Sequence, residues 1–173
     1  MNTPATPRPM HVEDFYFSGT PEIPNNLLLP LVVYRQAVSG GDLAAEFEKI
    51  FARNHWPPAW RYGIYPFAHY HSTAHEAIGV YRGRARVHFG HTAGITLDLQ
   101  AGDAVVIPAG TGHQCLEASP DFHAVGAYPE GQTPDLLRAD AREAPAARER
   151  IDQVPLPDCD PIAGRNGPLA HLW

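Results

Sequence analysis

The sequence predicts an all-β fold, an antiparallel barrel or sandwich with a few peripheral helices, on three observations. Eighteen prolines and fifteen glycines punctuate 173 residues of which only 18% are charged, a balance that favours short strands joined by turns over long helices. From Trp60 to Pro129, seven short β-rich runs follow one another with Gly or Pro turns of hairpin length between them. Helical periodicity is confined to one stretch before that region and one after it.

Residues 1–10, with three prolines and no apolar periodicity, read as a flexible arm. Asp14 to Gly19 and Leu29 to Gln36 carry the β-branched and aromatic residues of strands, with the turn-rich TPEIPNN between them. Residues 40–54, GGDLAAEFEKIFARN, place Leu43, Phe47, Ile50 and Phe51 on one helical face, with Asp42 available as N-cap. The seven runs are RYGIYPFAHYH, HEAIGVYRG, RARVHFG, ITLDLQ, DAVVIPAG, HQCLEA and DFHAVGAYP. A short helix is expected over residues 146–153, and the closing PLAHLW is expected to pack outside through Leu169, Leu172 and Trp173. The chain is long enough for one core and short for two, so residues 11–173 are expected to form one domain whose motif-bearing part spans about 60–130.

The formal charge is −6 with 13 Lys plus Arg and no basic run, which argues against a nucleic-acid partner, whose phosphates demand clustered cations. The longest apolar stretch, Leu27 to Val33, is interrupted by Pro30 and far too short to span a bilayer, and the N-terminus lacks the apolar segment of a signal peptide. A cytoplasmic protein without membrane contact is expected. Cys115 and Cys159 show no zinc-ribbon spacing and read as a reduced thiol pair.

Ten histidines are the anomaly, and three of them share the eight-residue stretch HYHSTAHE with a carboxylate. Strand alternation puts His69 and His71 on one face. If the chain turns through His75 and returns as a strand from Glu76, that carboxylate faces back toward both imidazoles, with Ile78 and Val80 continuing an apolar interior. A further ligand is presented by His113, after the strand of Val105 and Ile107 and the turn Pro108-Ala109-Gly110. Imidazole and carboxylate together suit a divalent metal such as iron, nickel, zinc, manganese or cobalt. The competing reading is a set of polar residues lining a barrel mouth, with Glu76 as a surface carboxylate.

Around this pair of stretches, Tyr65 and Phe67 share the His69 face and line the pocket or the core. Cys115, two residues beyond His113, is a pocket-lining group or an inert buried thiol. His123 shares a face with Val125 and Ala127, as a pocket residue or a satisfied interior histidine. His75 is a hydrogen-bond partner of Glu76, a substrate contact or a turn residue. His88 alternates with Arg84 and Arg86 and should face outward.

The two stretches have the spacing of a known family. Gly63, five residues, His69-Tyr70-His71, four residues, Glu76, six residues and Gly83 resemble the first motif of the cupin superfamily. Gly102, five residues, Pro108-Ala109-Gly110, two residues and His113 are similar to the second, and HSTAHEAIGVYRGRARVHFG resembles the small single-domain YjlB-like cupins. Glu117 stands where the second motif often has Asn. The resemblance implies a jelly-roll β-barrel, RmlC-like, with one divalent metal held by His69, His71, Glu76 and His113, often in a homodimer. It implies a metal-dependent enzyme of oxygenase, isomerase or decarboxylase type acting on a small molecule, with His75 or Glu117 as proton carriers. The alternative is a non-catalytic module that binds or senses a small molecule through the metal.

Overall fold

The computed structural model describes residues 10–173, so the expected arm lies outside the described residues except for Met10. Among the described residues, eleven strands form two antiparallel sheets. The six-stranded sheet runs in the order β1 (His11–Phe15), β2 (Leu31–Arg35), β8 (Ala104–Ile107), β5 (Glu76–Arg82), β10 (His123–Ala127) and β3 (Pro58–Tyr62). The five-stranded sheet runs β11 (Leu137–Arg138), β4 (His69–Tyr70), β9 (His113–Ala118), β6 (Arg84–Phe89) and β7 (Ile95–Gln100). The expected barrel is therefore an open pair of sheets in jelly-roll fashion, because the edge strands of one sheet do not pair with those of the other.

The continuous apolar runs Leu31-Val32-Val33-Tyr34 and Ala104-Val105-Val106-Ile107 follow from burial of the six-stranded sheet on both faces. Leu31, Val33, Ile78, Val105 and Ile107 face the five-stranded sheet and meet Val87, Phe89 and Leu99. Val32, Tyr34, Val106 and Val125 face the other way, toward α1 (Leu43–Arg53) and the C-terminal Leu169. Asp42 caps α1 by accepting from Ala44 N at 3.1 Å and Ala45 N at 3.2 Å, and the helix buries Phe47 and Phe51. The tail is thus part of a second core, since α3 (Leu169–Leu172) packs on the sheet that α1 covers.

Three element boundaries differ from expectation. The first strand lies at His11–Phe15 because it is in register with Leu31–Arg35, Phe15 opposite Leu31, and this leaves Tyr16 to Gly19 outside the ladder. The late helix α2 spans Ala144–Ile151, with Pro145 in the first turn, where its missing N–H is not needed. RYGIYPFAHYH is two strands in two sheets: the chain leaves β3 at Tyr62, turns through Gly63 to Pro66, and crosses to the other sheet as β4. That crossing puts His69 at the end of the space between the sheets. Among the described residues, no helix is long and apolar enough to cross a membrane.

Gly79, on the outer face of β5, lies against α1: a Cβ there would lie 2.4 Å from the Phe47 ring. Gly79→Ala is expected to destabilise the fold by about 1–3 kcal/mol through overpacking, read as a lowered urea midpoint at unchanged m-value. Gly63→Ala, with nothing within 4 Å of its Cβ, should leave the midpoint where it is.

Candidate metal centre

Cross-strand pairing of β4 and β9 sets His69 directly opposite His113, with ring centroids 4.0 Å apart. His71 lies just past β4, its ring 5.8 Å from His69 and 5.6 Å from His113. One ligating nitrogen from each of the three buried histidines falls within 4.8 Å of the others. Glu76 opens β5 in the opposite sheet, on the inner face with Ile78 and Val80, and is buried. Its Oε2 is 3.2 Å from Nε2 of His71 and 3.2 Å from Nε2 of His113.

Each imidazole is held by its other nitrogen. His69 Nδ1 donates to the Phe67 carbonyl at 3.0 Å, His113 Nδ1 donates to the Thr111 carbonyl at 3.1 Å, and His71 Nδ1 donates to the Asp135 carbonyl. A carbonyl only accepts, so all three protons are fixed on Nδ1 and the Nε2 atoms remain to face one another. Burial, reinforced by His113, lowers His69 to about 3, which keeps it neutral. Burial alone would raise the Glu76 carboxyl, but His71 and His113 outweigh it and hold it well below the usual carboxylate range. Burial likewise lowers His71, and the Glu76 carboxylate more than reverses this, so its pKa is raised. Yet, among the described residues, Glu76 Oε2 finds no well-directed hydrogen-bond donor. A buried anionic oxygen among three nitrogens fits a divalent cation, which would take the place of the proton that otherwise ties His71 to Glu76.

The other carboxylate oxygen, Oε1, accepts from the Tyr128 hydroxyl at 3.0 Å, and that hydroxyl in turn accepts from Trp60 Nε1 at 3.1 Å. Burial, then the Glu76 charge, raises Tyr128, so it stays a donor. Gly126 makes this possible, because the Trp60 indole occupies the place of its side chain, 1.8 Å from where a Cβ would be. The segment before β11 closes one side. Asp135 accepts from Ser72 N at 2.6 Å and from the Ser72 hydroxyl, while Thr73 Oγ1 donates to the Thr133 carbonyl at 2.8 Å. The cavity over the cluster measures about 360 Å³, with Trp60, Ile64, Tyr65, Ile78 and Leu136 among its walls.

Of the other residues singled out in the sequence, Tyr65 lines this cavity, with its ring edge-on to His69 at 5.2 Å. Phe67 is sandwiched between the Tyr65 ring at 4.9 Å and the Arg138 guanidinium at 3.7 Å, outside the cavity. His75 is not brought to the ligands. It is buried one residue before β5, against Trp173 at 4.6 Å, and its Nδ1 accepts from Ala109 N at 2.9 Å. Burial lowers it to about 4. Glu117 is exposed at the far end of β9, opposite Arg86, where a register shift between Arg86 and Val87 interrupts the alternation that starts from His113. Cys115 is buried in the core between the sheets. His123 is exposed at the open start of β10, outside the cavity, with its ring 5.9 Å from that of Tyr81 on the face of Val125 and Ala127. His88 faces outward and is engaged by Thr96 Oγ1 at 2.9 Å and the His91 carbonyl at 2.6 Å.

Sequence reading missed Tyr128, Trp60 and Asp135. For Tyr128 a signal existed: alternation back from Ala127 puts it on the face of Ala124 and Gly126. Nothing in the sequence around Asp135 announces its backbone carbonyl as the partner of His71.

Residues 62–124 match the Cupin domain family. The chain is 40% identical over 161 residues to "Uncharacterized protein YjlB" of Bacillus subtilis (strain 168), covering 93% of this chain and 96% of that relative. Among solved structures, it is similar to vicilin of tomato, Solanum lycopersicum, at 16% identity and a TM-score of 0.36 over 63% of this chain and 25% of that one. It is similar also to a variant of Bacillus subtilis oxalate decarboxylase, at 13% identity and a TM-score of 0.37 over 79% of this chain and 30% of that one. The chain thus spans less than a third of either solved structure, and at such scores they assign nothing to it.

Tyr128→Phe removes the donor to Glu76 Oε1 while keeping the ring. Metal affinity is expected to fall roughly 10- to 100-fold, as for other partners that orient a ligand, in competition with a chromophoric chelator, with the far-ultraviolet dichroism unchanged.

Proposed function

The chain belongs to the cupin family, in the YjlB-like group, and on that premise we propose that it is a divalent-metal-binding protein that acts on a small molecule in the cavity between its sheets. His69, His71, His113 and Glu76 would hold the metal. The observation that carries this is the shared tautomer: three buried imidazoles, each committed at Nδ1 to a carbonyl, turn Nε2 toward one point beside an ionised carboxylate that lacks a directed donor. A divalent ion bound there supplies a Lewis acid that polarises an oxygen donor or acidifies a water. The protein's own contribution is to orient the donors, exclude bulk water with the walls of Trp60 and Leu136, and keep the Tyr128 hydroxyl donating to Glu76 Oε1. The reactions this suits are oxygenation, isomerisation and decarboxylation, with iron, manganese, nickel, cobalt or zinc as candidate metals.

A second reading, a module that binds or senses without turnover, is favoured by one specific observation. His75 and Glu117, the expected proton carriers, lie outside the cavity, and among its described lining residues the remaining carboxylate, Asp135, is occupied by Ser72. Substrate-dependent oxygen uptake by iron-loaded protein supports the enzyme, and retention of a ligand without turnover supports the module. The reading extends to a homodimer in a reducing cytoplasm. Among the described residues, β3 and β1 leave open edges on the six-stranded sheet, and Cys115 and Cys159 are both buried and free.

Elemental analysis of untagged protein should find about one metal per chain, as expected for a single site of this ligand count. His71→Ala is expected to lose most of it and His88→Ala to keep it. Equal retention in the two variants refutes the ligand set.

A further inference from the structure

We propose that the ligand of this cavity carries a single oxygen donor, neutral or singly charged, on a flat apolar body, and that a second charge on that body is rejected. This rests on the metal-centre reading above and names the class of molecule that the centre receives.

The polar groups of the cavity are segregated. The imidazoles, Glu76 and the Tyr128 hydroxyl gather at its buried end, Trp60, Ile64, Tyr65, Ile78 and Leu136 form the walls, and the Tyr62 and Tyr65 hydroxyls belong to exposed residues toward the mouth. At about 360 Å³ the space is at the low end of the roughly 300–1,000 Å³ usual for small-molecule sites. A ligand therefore has one place for a polar head and several apolar or aromatic surfaces for the rest. Tyr65 and Leu136 are 43% and 48% exposed, which puts them toward the mouth, where the far end of that body would lie.

Charge narrows the class further. Among the described residues, no Lys or Arg lines the cavity. The nearest arginine to the His69 strand, Arg138, is stacked over Phe67 outside it, and Arg150 lies on the far side of Asp135, 3.8 Å from Oδ2. With the Asp135 charge balanced by Arg150 from outside the cavity, the charges left are the divalent ion and Glu76, a net single positive charge that one anionic donor neutralises. A second carboxylate would be desolvated against Trp60, Ile64 and Ile78 with no counter-charge, a cost that opposes its binding.

The test uses the full chain, zinc-loaded and metal-free, titrated calorimetrically with three probes at one ionic strength. Acetate has the donor without the body. 4-Methylbenzoate has donor and body, and terephthalate has the same shape with a second charge. On the zinc-loaded protein, 4-methylbenzoate should bind about tenfold or more tighter than acetate, from ring burial, and about tenfold tighter than terephthalate. Tyr65→Ala and Leu136→Ala should each weaken 4-methylbenzoate severalfold and leave acetate unchanged. Acetate binding as tightly as 4-methylbenzoate, terephthalate binding as tightly or more so, or no probe binding at all overturns the proposal. If the chain takes up no zinc, the metal-centre reading fails, and the metal-free titrations still decide. Preference for 4-methylbenzoate over terephthalate then upholds the single-charge apolar cavity, and equal binding or none overturns it.

Discussion

Three imidazole protons donated to three backbone carbonyls are the constraint on which the rest of the site depends. An imidazole free to choose its tautomer could satisfy itself in pairs, nitrogen to nitrogen, and the cluster would collapse into an ordinary polar network. Here Phe67, Thr111 and Asp135 each take an Nδ1 proton, so every Nε2 is left facing the same buried space. Glu76 then supplies an anion that three neutral rings cannot neutralise, and His71 is drawn toward protonation as the nearest substitute for a cation. The arrangement is electrostatically incomplete without a positive charge at its centre.

Holding four donors from separate pieces of chain to that geometry takes a brace, and the brace is where His75, expected as a proton carrier, is found. His75 precedes Glu76 by one residue and so points to the other side of its strand, where Nδ1 accepts from Ala109 N. Gly110 N donates to the His71 carbonyl at 2.8 Å, and Asn26 Nδ2 donates to the Ala109 carbonyl at 3.0 Å. Asn25 completes the frame, accepting from Gly112 N at 3.0 Å and donating to the Gly90 carbonyl at 2.9 Å. The turn Pro108-Ala109-Gly110 that leads to His113 is thereby fastened to the loop that carries His71 and Glu76. The stretch Asn25-Asn26, which reads in sequence only as a turn, is part of what sets the distance between the two halves of the site.

Much of this was legible. The spacing from His69 to Glu76 and from Pro108 to His113 carries the ligand candidates because strand alternation and a fixed turn length leave few alternatives for where those side chains point. The helix over Leu43–Arg53 was legible from its cap and its apolar face. What failed were statements that assumed an uninterrupted strand. RYGIYPFAHYH alternates well enough to pass for one strand, but Gly63 and Pro66 carry it between sheets, and no local pattern distinguishes a strand from two strands joined by a crossing. Glu117 was misplaced because a single-residue register shift in its own strand reverses a face, and a bulge has no side-chain signature in these residues, whereas His123 keeps its face and is left to solvent at the end of its strand. Asp135 was invisible because its contribution to His71 is a carbonyl, which every residue has.

The cavity is also distinguished by how little freedom its protons have. The Tyr128 hydroxyl proton goes to Glu76 while Trp60 Nε1 occupies the oxygen from the other side, the three Nδ1 protons go to carbonyls, and the Asp135 carboxylate is filled by Ser72. A site that needed a protein acid or base at the ligand would leave one such group uncommitted and facing the space, since a proton carrier works only within hydrogen-bond reach of the atom it serves. This one spends the hydrogen bonds around the imidazoles and Glu76 on holding geometry and leaves apolar and aromatic walls, with the Tyr62 and Tyr65 hydroxyls on exposed residues toward the mouth. On the proposed reading, selection by such a cavity would come from the shape and single charge of what enters it, and any reactivity from a cation held by the three nitrogens and the Glu76 oxygen. That division explains why the residues around the ligands are aromatic and aliphatic although the chain has ten histidines to draw on.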